Sequence, residues 1–152
     1  IVLHIGLNKA ASSTFQYGFN LNRQILQDIG WYYPVNGLVG DMHLNISAQI
    51  GNSPNFRQNV SGVEDLLEEI MNVDCESILL SSEYFSIFNE NQIAKVYETF
   101  CFDYDVEIIV YLRNQLSWLY SEWAQHIKSA KTRQGFADWL DYAIVKKIWE
   151  LV

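Results

Sequence analysis

Three short apolar runs, at residues 1–7, 77–81 and 106–112, constrain this chain most. They are rich in Ile, Leu and Val and scarcely alternate with polar residues, which is the pattern of strands buried on both faces. Helix-length segments separate them. Residues 13–29 place Phe15, Phe19, Leu21, Ile25, Leu26 and Ile29 on one broad helical face before Gly30 stops the helix. Residues 41–50 suit a short helix. Ser61-Gly-Val-Glu64 reads as a capping box opening a helix through Met71. Further helices are expected at 89–100, at 115–130 and from Gly135 to the end. Trp31-Tyr-Tyr-Pro34 reads as extended, Asn36-Gly37 as a turn, and 51–59 as a loop. Strands alternating with helices imply an α/β, three-layer sandwich, with a mainly parallel sheet covered by helices on both faces. At 152 residues with no linker, the expectation is a single domain spanning 1–152.

Composition removes several function classes. A net charge of −8 argues against nucleic acid as partner. No apolar run approaches the length of a membrane span. Cys75 and Cys101 read as buried free thiols, which favours a reducing, cytoplasmic setting. The chain opens at Ile1 without methionine, which leaves a removed leader or anchor open. His4, His43 and His126 are too scattered for a zinc site, so no metal is expected. The charge is also uneven. Twelve acids face only Lys95 between Val60 and Ile108, whereas the regions around Lys9 and Arg113 are basic and suit an anionic ligand.

Two segments carry candidate chemistry. In the first, a strand runs into Lys9-Ala10-Ala11-Ser12-Ser13-Thr14. Small residues let backbone amides approach a ligand, a starting helix offers unpaired N–H groups, and Lys9 and the hydroxyls add donors. The product is a phosphate cradle, although not a Walker loop, because Lys9 precedes the small residues. A serine N-cap beside a solvated lysine is the competing account. In the second segment, Arg113 ends a strand and Ser121 follows eight residues later. A strand-end arginine lies at the carboxyl edge of a parallel sheet, and its fork suits phosphate oxygens. A surface ion-pair arginine and an exposed serine form the competing account.

These segments resemble the sulfotransferase family, bacterial members above all. Lys9-Ala10-Ala11-Ser12-Ser13 is similar to the family's Lys-Thr-Gly-Thr-Thr loop. His4-Ile-Gly-Leu, Gln16, Asn22-Arg23 and Gly30-Trp-Tyr-Tyr-Pro34 resemble its flanks. Tyr111-Leu-Arg-Asn-Gln-Leu-Ser-Trp-Leu-Tyr-Ser121 resembles its 3'-phosphate segment. The departure is Ala11, where the family carries glycine; if the loop needs φ > 0 there, alanine is strained.

The resemblance implies a P-loop-like fold and transfer of a sulfuryl group from 3'-phosphoadenylyl sulfate (PAPS) to a hydroxyl, leaving adenosine 3',5'-bisphosphate. It implies that Lys9 and residues 10–14 hold the phosphosulfate, and that Arg113 and Ser121 hold the 3'-phosphate. It also implies a base after the second strand, for which Glu83 is the candidate and His43 the runner-up. The acceptor is a small molecule or glycan; Trp31, Tyr32, Tyr33, Phe56 and Tyr84 are candidates to stack on a sugar. Family members run on past this chain's final Ile148-Trp-Glu-Leu-Val152, so a C-terminal segment is expected to be lacking. The alternatives are a non-catalytic binding module that keeps the fold, and a P-loop-like nucleotide-binding kinase.

Overall fold

The structure, a computed structural model, describes residues 1–147, with side chains through Ile144. The chain groups into two compact units, Ile1–Tyr111 and Leu112–Val152. The first is mixed α/β. In chain order it contains β1 (Val2–His4), α1 (Ser12–Leu21), α2 (Arg23–Asp28), β2 (Trp31–Tyr32), α3 (Leu44–Ile50) and α4 (Val63–Met71). There follow β3 (Ser77–Ser81), a 3-10 turn (Glu83–Ile87), α5 (Glu90–Phe100) and β4 (Glu107–Ile109). The strands form a sheet in the order β2-β3-β1-β4, and every neighbouring pair is parallel.

Alternation along the strands builds a core on each face. Leu3, Ile78 and Leu80 point to one side, where α3, α4 and α5 add Ile46, Ile50, Leu66, Ile70 and Phe100. Val2 and Leu79 point to the other, against Tyr33, with Phe19 of α1 and Leu26 of α2 beside them. The arrangement is consistent with a three-layer α/β sandwich.

Topology places the site. The chain leaves β1 through α1 and α2 and passes over β3 to reach β2. It leaves β3 through α5 and passes over β1 to reach β4. The two connections run in opposite directions, and right-handed crossovers then put them on opposite faces. The carboxyl ends of β1 and β3 therefore flank a switch point, where the diverging connections leave a crevice.

Several sequence expectations need correction. The helix expected over 13–29 breaks at Asn22, whose amide and side-chain Nδ2 both bond to the Gly18 carbonyl; such a side chain competes with the helical ladder. Leu21, Ile25 and Ile29 of the expected apolar face are exposed. The run at 106–112 pairs only over Glu107–Ile109, at one end of the sheet order. Ile108 is 61% exposed, because apolar composition specifies a strand but not what covers it. The cap of α4 falls one residue later than read: Asp65 accepts from the Gly62 amide, while Ser61 Oγ accepts from Gly37. Cys75 and Cys101 are free but only half-buried. Nor is the acidic stretch all solvated, because Glu69 accepts from the Tyr32 hydroxyl and from the amides of Val35 and Asn36.

The second unit contains α6 (Gln115–Lys128) and α7 (Phe136–Lys147). The expected continuation of the last helix to Val152 lies outside the described residues. No described helix is long and apolar enough to cross a membrane.

The Asn36-Gly37 turn supplies the test of this packing. Gly37 has φ +81°, and a Cβ there would collide with Ile46, which is fully buried. Gly37→Ala should therefore cost about 3 kcal/mol, from left-handed strain plus overpacking. Urea denaturation of the two proteins checks it.

Candidate functional site

The loop after β1 is built by a turn. The Ala10 amide bonds to the Leu7 carbonyl at 3.1 Å, and Lys9, third in that turn, has φ 66°. Ala11 follows in the left-handed region at φ 67°, ψ 16°, and caps α1 through its backbone. The Ala11 carbonyl receives the amides of Thr14 and Phe15. Helix geometry leaves the preceding amides, those of Ser12 and Ser13, as the unpaired donors of the first turn. Ser12 is buried, while Ala11, Ser13 and Thr14 are exposed. The loop therefore holds two non-glycine residues at positive φ, a conformation that costs roughly 1–2 kcal/mol per residue. The structure puts Ala11 in the conformation for which the resemblance supplies glycine.

Beneath this loop lies a polar seam. The register of β1 against β3 pairs His4 with Ser81. Their side chains meet at 2.7 Å between His4 Nδ1 and Ser81 Oγ, and Gln16 of α1 donates from Nε2 to the same oxygen at 3.1 Å. All three residues are buried. Sequence reading left His4 and Gln16 out of the site. Their signal was a polar residue inside an apolar strand, and one on the inner face of a helix.

His43 has another task. β2 pairs with β3 only as far as Ile78, so the backbone of Ser81 has no strand partner on that flank. His43 replaces it: its amide donates to the Ser81 carbonyl at 2.8 Å, and its Nδ1 accepts from the Ser81 amide at 3.1 Å. That leaves Nε2 to donate to the Pro34 carbonyl at 3.2 Å, which also receives Arg23. Burial, assisted by the Arg23 charge, pushes the imidazole down to about 3 against the pull of its backbone bonds. With both nitrogens bonded to backbone, His43 has none free to take a proton from a substrate. Tyr33 is likewise removed from the sugar-stacking set: it is 1% exposed and bonds to the Asp41 carbonyl.

Glu83 opens the 3-10 turn directly after β3, with Ser82 Oγ accepting from the Tyr84 amide. It is half-buried. Burial raises its carboxyl above the usual range, and the charge of Lys9 pulls it partly back. A cation and a basic carboxylate thus share the edge where β1 and β3 end.

In the second unit, Asn114 caps α6 through its Oδ1, accepting from the Ser117 amide at 3.3 Å. An open depression of about 350 Å³ is lined by Arg113, Leu116, Ser117, Tyr120 and Phe136. Ser117, one helical turn before the expected Ser121, lines it with Arg113. Tyr120, Trp123 and Phe136 form a ring cluster with centroids 5.3–5.6 Å apart. His126 is structural, accepting from Trp139 Nε1 at 3.2 Å. Among the described residues, no group of three or more His, Cys, Asp or Glu could hold a metal ion.

Compared with family models, with curated proteins and with solved structures, the chain matches none.

Two measurements probe this geometry. Ala11→Gly should relieve the left-handed strain and stabilise the protein by up to about 1 kcal/mol, less what glycine adds to the unfolded chain; urea titration reads it, and destabilisation would contradict the assigned conformation. His43 has a depressed folded pKa, so its contribution is complete above pH 6.5 and declines as pH falls toward 3. The slope should approach about 1.4 kcal/mol per pH unit in that window. His43→Gln should flatten this part of the stability–pH curve.

Proposed function

We propose that the protein is a sulfotransferase that moves the sulfuryl group of PAPS to a hydroxyl of a small molecule or glycan. One observation carries the reading. A lysine-bearing loop opening a helix and a carboxylate of raised pKa stand at the carboxyl ends of two adjacent parallel strands, with the lysine charge acting on the carboxylate. This combination suits removing a proton from an alcohol while charge builds on a departing phosphate.

In the proposed reaction the acceptor oxygen attacks sulfur and forms the new O–S bond. Its proton passes to Glu83. The bond from sulfur to the bridging oxygen breaks, and its electron pair leaves on the 5'-phosphate of adenosine 3',5'-bisphosphate. Lys9 stabilises that charge, and the Ser12 and Ser13 amides with the Thr14 hydroxyl hold the oxyanion. Such transfer needs positioning and charge neutralisation more than covalent help, by analogy with phosphoryl transfer. The assignment of Arg113 and Ser121 to the 3'-phosphate rests on the sequence resemblance alone, and Ser117 joins them as a candidate donor. The P-loop-like character of the fold is part of the same proposal.

Calorimetry with adenosine 3',5'-bisphosphate tests the reading. Binding should weaken about tenfold or more in Lys9→Ala and in Arg113→Ala, since each removes a charge-assisted hydrogen bond. ATP binding in preference to adenosine 3',5'-bisphosphate would favour a kinase instead, and binding without sulfate transfer would favour a non-catalytic module.

The base has its own signature. Glu83 must be ionised, so transfer should rise with pH through a carboxyl pKa above the usual range. Lys9→Ala removes the charge that lowers this pKa, so the limb should move to higher pH. A ¹³C titration of the Glu83 carboxyl reads the same shift. The burial cost of the Glu83 charge is absent below the unfolded pKa and complete above the folded one. Glu83→Gln should therefore abolish transfer while raising thermal stability at pH 7.

A further inference from the structure

His4 has a ring nitrogen that the fold leaves unused. The residue is 2% exposed, and its Nε2 is buried with no hydrogen-bond partner among the described residues. That nitrogen faces Gly6. A Cβ on Gly6 would stand 3.0 Å from His4 Nε2 and 3.3 Å from Ser12 Cβ. His4 Cε1 would be 3.1 Å from the same Cβ, so the Nε2–Cε1 edge of the ring lies where the loop meets the first residue of α1. The rings of Tyr111 and Phe15 wall the imidazole edge-on, at 5.3 and 6.4 Å between centroids. A buried polar atom without a partner is costly and calls for an explanation.

The seam bears on which ring nitrogen carries the proton. Burial lowers the His4 pKa, so the ring is neutral at pH 7 and has a single N–H. Ser81 Oγ already accepts from Gln16. Two acceptors compete for its own proton, the Tyr33 oxygen and the imidazole Nδ1 at 2.7 Å, and the imidazole, the stronger base, is taken to receive it. The ring proton is then on Nε2, the nitrogen facing the loop. The α1 N-terminus next to it supplies its own unpaired amides and a positive dipole end.

We infer that His4 is a further anion-binding residue: its Nε2–H donates, from below the loop, to an oxygen of the tetrahedral oxyanion that residues 9–14 take. Ser81 is the positioning residue that keeps the proton on that nitrogen. The inference rests on the reading of this loop as the 5'-phosphosulfate cradle, and it adds a donor from the strand itself. Nε2 is covered in the present conformation, so contact requires the loop to shift. Lys9 and Ala11, both at positive φ, are where the backbone gains by relaxing.

The test uses the whole chain labelled with ¹⁵N-histidine. Long-range ¹H–¹⁵N spectra should show His4 protonated on Nε2. That signal should move on titration with adenosine 3',5'-bisphosphate or sodium sulfate, saturating with the Kd from calorimetry. His4→Phe should weaken binding about tenfold or more, and His4→Gln, whose amide reaches the same place, should restore most of it. Ser81→Ala should move the ring proton toward Nδ1 and weaken binding although Ser81 does not touch the anion. If His4→Phe fails to fold, the titration of the parent protein decides. An unmoved Nε2 signal at saturating adenosine 3',5'-bisphosphate, or a proton on Nδ1 in the parent, overturns the role of His4 and leaves the cradle standing. No heat and no shift with either anion overturns the cradle and His4 together.

Discussion

The parallel pairing of β1 with β3 sets His4 directly beside Ser81, and the first unit is organised around that register. It aligns Leu3 with Leu80 for one core and Val2 with Leu79 for the other. It also ends both strands at the same level, so that the loop after β1 and the turn after β3 emerge side by side. A slip by one residue would exchange the two faces of β1. His4 would then enter the apolar core that α3, α4 and α5 cover, and Leu3 would meet the seam.

The seam itself is an expensive choice for a small core. His4, Ser81, Gln16 and His43 are polar and buried, and each must find partners where an aliphatic side chain would simply pack. His43 is fully satisfied and substitutes for a strand beyond the reach of β2. Gln16 ties α1 to β3. The loop above adds strain, with Lys9 and Ala11 in a conformation that L-residues avoid. Burial also raises Glu83 next to Lys9. Polar burial, strained backbone and a perturbed carboxyl concentrate at one edge of one sheet, where selection for packing alone would have placed none of them.

Legibility in the sequence differed from element to element. β3 and α5 come within a residue of their expected bounds, because an unbroken apolar run and an Asn89 cap with Gln92 are local signals. The 13–29 helix was overextended, since periodicity cannot register one asparagine turning its side chain onto the backbone. The aromatic run at 31–34 read as extended but not as a strand, because its pairing lies more than 40 residues away at Ser77. For the candidate site, the small-residue loop and Glu83 were legible from residue type and position after a strand. The engagement of both His43 nitrogens was not, because its partners come from β3 and from Pro34. That Ser117 lines a depression with Arg113 was not legible either, because it depends on how α6 and Phe136 pack.

The sequence by itself determined the alternation of strands and helices, the absence of a Walker loop and the location of the cationic loop, since these depend on neighbours within a turn or a strand. Tertiary structure alone decided the strand order, and with it the switch point between β1 and β3. It also decided that Ala11 is left-handed, that His43 is bonded to backbone on both nitrogens, and that His4 keeps one nitrogen unpaired among the described residues. Those outcomes depend on pairings between residues far apart in the chain, whose free energies come from burial and hydrogen-bond geometry that no local pattern encodes.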